Sequence, residues 1–149
     1  MKNNKNIFLK KKILIYGLGK SGISSYKFLK NKAKVYLFDD DPKKKIKHQT
    51  KQWISDINKI SKNKFDIIII SPGIDILNCK LSKFLKKNKS KIFTDLDVFY
   101  SFNKNKSITI TGTNGKSTTA KILNDILLDQ NYDCRLIGNI GNPALSEKK

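Results

Sequence analysis

Two glycine-rich loops hold the residues whose chemistry is easiest to read from type and spacing. The first is Gly17-Leu18-Gly19-Lys20-Ser21-Gly22, a complete G-x-G-x-x-G. Glycines at these positions allow a tight turn, close approach of the backbone to a phosphate and close packing of the next helix, whose first N–H groups face the anion. Asp39, 20 residues after Gly19, stands where a carboxylate would accept a ribose hydroxyl. The second loop is Gly112-Thr113-Asn114-Gly115-Lys116-Ser117-Thr118, within T-I-T-G-T-N-G-K-S-T. Backbone N–H groups around Asn114 to Ser117 would surround a β-phosphate, Lys116 would neutralise β- and γ-oxygens, and Ser117 would ligate magnesium. This loop is shorter than the usual G-x-x-x-x-G-K-[ST], because the residue five before Gly115 is Ile110. Two such loops, 95 residues apart from Gly17 to Gly112, imply two phosphorylated ligands. An NAD-dependent oxidoreductase needs only the first, and an ordinary P-loop NTPase only the second.

Strands must aim both loops, and the pattern supplies them. Lys12 to Tyr16 (K-I-L-I-Y) reads as a buried parallel strand, Ser21 to Lys30 as a helix and Val35 to Phe38 as a second strand, closed by Asp39-Asp40-Asp41-Pro42. Phe65 to Ser71 carries four consecutive isoleucines, which only a sheet covered on both faces would bury. Between them, Trp53, Ile54, Ile57 and Ile60 predict one amphipathic helix. After Ser71-Pro72-Gly73 the pattern predicts a helix over 81–87, a strand over 91–93 and a helix over 96–102 capped by Asp95. A polar break at Asn103 to Lys106 precedes a strand at Ser107 to Thr111, a helix over 116–130 and a strand at Cys134 to Ile137. Strands alternating with helices predict a parallel α/β architecture. The expected fold is a Rossmann-like parallel-sheet domain over 1–104, followed by the start of a P-loop-type ATPase domain over 105–149. A lone β-α-β unit cannot bury both faces of its sheet, so the chain reads as a fragment of a longer protein.

Composition bounds the alternatives. The net charge is +19, but only Arg135 among the 31 basic residues is an arginine, and the lysines are scattered among 15 asparagines. Sequence-specific nucleic-acid readers favour arginine and cluster their charge, so the scatter speaks for a compositional bias and no nucleic-acid partner. An NAD-dependent oxidoreductase stays as the first alternative and a basic nucleic-acid-binding module as the second. Cys79 and Cys134 have no metal-ligand spacing, the mark of inert thiols in a reducing compartment. His48 sits among lysines as a solvated side chain, and Trp53 reads as a packing residue. The N-terminus lacks a signal-peptide core and no apolar run reaches membrane-spanning length, so the expectation is a cytoplasmic protein without a membrane partner.

The shortened T-G-T-N-G-K-S resembles the ATP-binding loop of the Mur ligases. Gly17 to Gly22, Ser71-Pro72-Gly73-Ile74 and G-N-I-G-N-P-A-L at Gly138 to Leu145 are similar to motifs of the branch that joins D-glutamate to UDP-N-acetylmuramoyl-L-alanine. The four motifs occur in order along nearly the whole chain. The resemblance implies that the first domain holds the UDP end of the nucleotide sugar instead of NAD. Gly17, Gly19, Lys20, Ser21 and Gly22 would lie against the diphosphate, Asp39 near the uridine, and Ser71, Pro72 and Gly73 along the same pocket. Gly112, Thr113, Asn114, Gly115, Lys116, Ser117 and Thr118 would bind ATP and Mg2+, with Lys116 and Ser117 in catalytic roles, and Asn139 would touch the muramoyl substrate. The activity implied is ATP-driven amide synthesis through an acyl phosphate, in peptidoglycan precursor synthesis, by a full-length enzyme that is a monomer. The family's further magnesium-binding acid and histidine, its modified lysine and its amino-acid-binding domain would lie beyond Lys149, so the chain as given is expected to be inactive. Asp40 and Asp41 stand where many relatives place a hydroxyl and a basic residue. Negative charge there should weaken diphosphate binding unless nearby lysines compensate.

Overall fold

A computed structural model describes residues 6–45, 51–138 and 142–146; His48 and Asn139 lie outside them. Four short parallel strands, β1 (Lys12–Tyr16), β2 (Lys34–Phe38), β3 (Ile67–Ile70) and β4 (Ile92–Phe93), form one sheet in the order β2-β1-β3-β4. The helices are α1 (Lys20–Leu29), α2 (Ile57–Lys62), α3 (Ser82–Lys87), α4 (Asp95–Phe102) and α5 (Lys116–Asp129). Ile13 pairs with Val35 on one side and Ile67 on the other, so β1 lies between the strands that follow it in sequence. The chain thus leaves β1 toward one edge and later returns to the opposite edge. In doubly wound sheets this reversal opens a crevice at the carboxyl ends of the strands.

Successive strand residues face opposite sides, and here both sides are covered. Ile13, Ile15, Ile67 and Ile69 join Tyr26, Leu29 and Val98 in one apolar cluster under α1 and α4. Leu14, Tyr16, Ile68 and Ile70 join Ile60, Leu81 and Leu85 in the other, under α2 and α3. The four isoleucines of β3 are therefore split two and two between the layers, and each is at most 5% exposed. The Rossmann-like α/β expectation for the first part of the chain is met.

Four local expectations differ. Trp53 and Ile54 are extended, not helical: Leu37 donates its N–H to the Gln52 carbonyl at 2.8 Å and accepts from Ile54 N–H at 3.0 Å. The open edge of β2 offered unpaired backbone groups, and pairing with them outweighed helical periodicity; the helix α2 begins only at Ile57. The residue capping α4 is Thr94, whose hydroxyl accepts from Asp97 N–H while the Asp97 carboxylate accepts from Thr94 N–H, a reciprocal box in place of a cap by Asp95. Ser107 to Thr111 forms no strand, since among the described residues no neighbouring strand offers it a ladder, and Ile108 is 67% exposed. Cys134 to Ile137 is likewise reduced to a single bridge from Ile137 to Asn142.

Beyond the polar break, α5 buries none of its residues, and its apolar Ile122 and Ile126 face outward. The 3₁₀ turn Ala144–Ser146 instead returns to the first layer and packs on α1 and α4. Ala144 and Leu145 are buried, and Leu145 belongs to the apolar cluster of Phe8, Leu29 and Val98.

Candidate nucleotide-binding site

The crevice is built from the first glycine loop. Gly17 continues β1 with φ +91°, a region that favours glycine, and its N–H donates to the Phe38 carbonyl at 2.9 Å. Its carbonyl accepts from Ser71 Oγ at 2.7 Å, which ties the end of β3 to the loop. A Cβ on Gly22 would lie 1.8 Å from that same carbonyl oxygen, so Gly22 is the contact that lets α1 start directly against the strand. Gly19 differs, because a Cβ there would meet nothing within 4 Å. Its lack of a side chain serves no internal packing and leaves the head of α1 open to an incoming group.

Asp39 holds the loop from below. It is 6% exposed; Oδ2 accepts from Leu18 N–H at 2.6 Å and lies 3.6 Å from Lys44 Nζ, and Oδ1 accepts from Asp41 N–H at 2.9 Å. Both oxygens are thus engaged within the protein. Next to it, Asp40 Oδ2 accepts from the Tyr16 hydroxyl at 2.8 Å, and its Oδ1 has no protein partner. Burial, then Asp40 and Cys79 beside it, pushes the Tyr16 phenol well above its ordinary value. Asp41 accepts from Lys43 N–H, capping a 3₁₀ turn at Pro42.

A cleft of about 220 Å³ opens at this end of β2, with Asp39, Asp40, Trp53, Ser55, Ile57 and Lys80 among its walls. Gly17, Gly19, Lys20, Ser21, Gly22, Asp39, Ser71, Pro72 and Gly73 lie at the carboxyl ends of β1, β2 and β3. Of these only Asp39 also lines the cleft, where Trp53 and Lys80 meet it, although no local pattern marks either as a site residue: one arrives by edge pairing and the other from the loop after β3.

The second loop is separate. No hydrogen bond among the described residues links it to the first. Gly112 and Gly115 have φ +149° and +75°, and the chain between them curls around the Lys116 ammonium, which donates to the carbonyls of Gly112 and Thr113. Gly115 starts α5, and no side chain caps it. Thr113, Asn114, Ser117 and Thr118 are exposed around it.

Neither loop caps its helix with a side chain, a lack that the six-residue α3, starting after Leu81, shares. Among the described residues three helices have eight or more residues: α1, α4 and α5. The first turn of α4 is closed by Thr94, whereas α1 and α5 begin at Gly19 and Gly115 with no side-chain acceptor for their leading N–H groups. Uncapped donors at the positive end of a helix dipole suit a phosphate. Among the described residues no cluster of three or more His, Cys, Asp or Glu side chains could hold a metal ion, and no helix is long and apolar enough to cross a membrane.

Residues 11–92 match the family described as Mur ligase MurD-like, N-terminal domain. The UDP-N-acetylmuramoylalanine–D-glutamate ligases of Rickettsia bellii and Rickettsia prowazekii are 36% and 37% identical over 146 and 147 residues, which is 95% and 96% of this chain but 32% and 33% of theirs. The ligase of the same name from Francisella tularensis subsp. tularensis is 35% identical over 139 residues, 91% of this chain and 30% of its own. The chain thus spans about one third of the length of these relatives.

Proposed function

Because the chain belongs to the MurD-like Mur ligase N-terminal domain family, we propose that it is the UDP-sugar-binding part, with the first piece of the ATP site, of a ligase that adds D-glutamate to UDP-N-acetylmuramoyl-L-alanine. The observation that carries this reading is the pair of glycine-led, uncapped helices α1 and α5. The names of the relatives support the same reaction.

In the proposed reaction the lactyl-alanine carboxylate of the UDP substrate attacks the γ-phosphorus of ATP, releasing ADP and forming an acyl phosphate. The amine of D-glutamate then adds to the acyl carbon and inorganic phosphate leaves. Activation is needed because a carboxylate is a poor electrophile. The first loop would hold the UDP diphosphate on the N–H groups heading α1, with Gly19 permitting close approach and Lys20 adding positive charge. In the second, Lys116 would exchange the carbonyls of Gly112 and Thr113 for phosphate oxygens, a stronger acceptor for an ammonium. The exposed Ser117 hydroxyl in the first turn of α5 fits a magnesium ion that takes its other oxygens from phosphates and water. Magnesium so held would neutralise charge on the transferring phosphoryl group. The Asp39 contacts to Leu18 and Lys44 would keep the first loop in register with the cleft, whose wall Asp39 also forms.

Phosphate release from ATP by the complete gene product tests the reading. Release should require both UDP-N-acetylmuramoyl-L-alanine and D-glutamate; none with both present overturns it. Tight NADH binding without UDP binding would favour an oxidoreductase instead.

A further inference from the structure

We propose that Lys80 is a specificity-determining residue of this nucleotide site, the cation that admits a nucleoside diphosphate to a cleft walled by aspartates. The inference rests on the UDP-sugar reading and concerns how this chain tolerates Asp39, Asp40 and Asp41 in a row.

The two carboxylates that line the cleft are offset unequally. Asp39 has Lys44 at 3.6 Å and the Leu18 N–H. Asp40 has only a neutral donor, the Tyr16 hydroxyl, and one oxygen without a protein partner. Of the side chains lining the cleft, Asp39 and Asp40 bring negative charge and Lys80 alone brings positive charge. A doubly charged diphosphate approaching such walls is repelled unless a cation faces it.

Lys80 is built to do so. Leu81 beside it is 1% exposed and locked in the apolar layer with Leu85, so the backbone at position 80 is fixed while its side chain is exposed. Its Nζ reaches across the cleft, from the loop after β3 to the end of β2, and donates to the Asp40 carbonyl at 2.9 Å. Among the described residues no carboxylate lies within ion-pairing distance of it. The ammonium is thus held over the cleft by a neutral acceptor and not neutralised by a partner. Exchanging a carbonyl for a phosphate oxygen replaces a neutral acceptor with a charged one, a gain that uridine alone cannot offer.

The test is calorimetric titration of UDP and of uridine into this chain and its Lys80→Gln and Lys80→Arg variants, with melting curves to confirm folding. Glutamine keeps an N–H donor but carries no charge. UDP should bind the Gln variant about tenfold more weakly, and the Arg variant within about threefold of the parent. Uridine should bind all three alike. UDP binding unchanged in the Gln variant, or UDP and uridine weakened together, overturns the role of Lys80 and leaves the nucleotide site standing. Failure of the parent chain to bind UDP overturns both.

Discussion

The Cα of Gly22 faces the carbonyl oxygen of Gly17 so closely that a Cβ at position 22 would lie 1.8 Å from it. That oxygen also accepts from Ser71 Oγ, so it has no room to retreat. Gly22→Ala should cost about 3 kcal/mol, because backbone would have to move. Gly19→Ala, where a Cβ meets nothing within 4 Å, should cost less than about 1 kcal/mol yet weaken UDP binding. Urea unfolding followed by the fluorescence of Trp53, the single tryptophan, reads both. Equal midpoints for the two variants would refute the distinction between a packing glycine and a ligand-facing one.

Tyr16 makes stability sensitive to alkali. The phenol is raised above its ordinary value of 10.0 by burial and by Asp40, so the folded state disfavours tyrosinate. Its contribution is fully present below pH 10 and is lost as the pH rises beyond that, at up to about 1.4 kcal/mol per pH unit while only the unfolded chain ionises. Unfolding midpoints measured between about pH 8 and 11 should fall more steeply for the parent than for Tyr16→Phe. Parallel profiles would show that this phenol ionises in the fold as readily as in the unfolded chain.

Leu145 joins the tail of the described chain to the first layer. At 8% exposure, within the cluster of Phe8, Leu29 and Val98, its replacement by Ala should cost about 2 to 3 kcal/mol. Leu128 on α5 is 49% exposed, and Leu128→Ala should cost less than about 1 kcal/mol. A Leu145→Ala variant as stable as Leu128→Ala would mean that the turn does not dock.

Lys116→Met should reduce the affinity of the complete gene product for magnesium ATP by about tenfold or more, since charge-assisted bonds to phosphate are lost. UDP affinity should not change, because no hydrogen bond among the described residues joins the two loops. Titration of each nucleotide separately distinguishes the sites, and a matched loss of both would contradict their independence.

Much of the first part of the chain was legible from residues alone because its signals are local. The apolar run of β1 ending at Gly17, the four isoleucines of β3 and the glycine spacing each specify a conformation that neighbouring residues can enforce. The segments read differently are those whose structure depends on a distant partner. Trp53 and Ile54 show helical spacing but were drawn into pairing with Leu37, and Ser107 to Thr111 shows strand composition but met no ladder among the described residues. The capping pair Thr94 and Asp97 has the spacing of a box, a local signal that the reading of Asp95 as the cap missed.

By itself, then, the sequence determined the alternation of strands and helices in the first part of the chain, the two glycine-led helix starts and the residues at their heads, because backbone freedom and burial periodicity act over a few residues. Only the tertiary structure decided that β1 would lie between β2 and β3, which puts Gly17, Asp39 and Ser71 at one crevice. It also decided that Leu145 would return to the first layer and that Lys80 would reach Asp40, 40 positions away. Such contacts follow from how sheet order and layer packing bring distant segments together, and no local spacing encodes them.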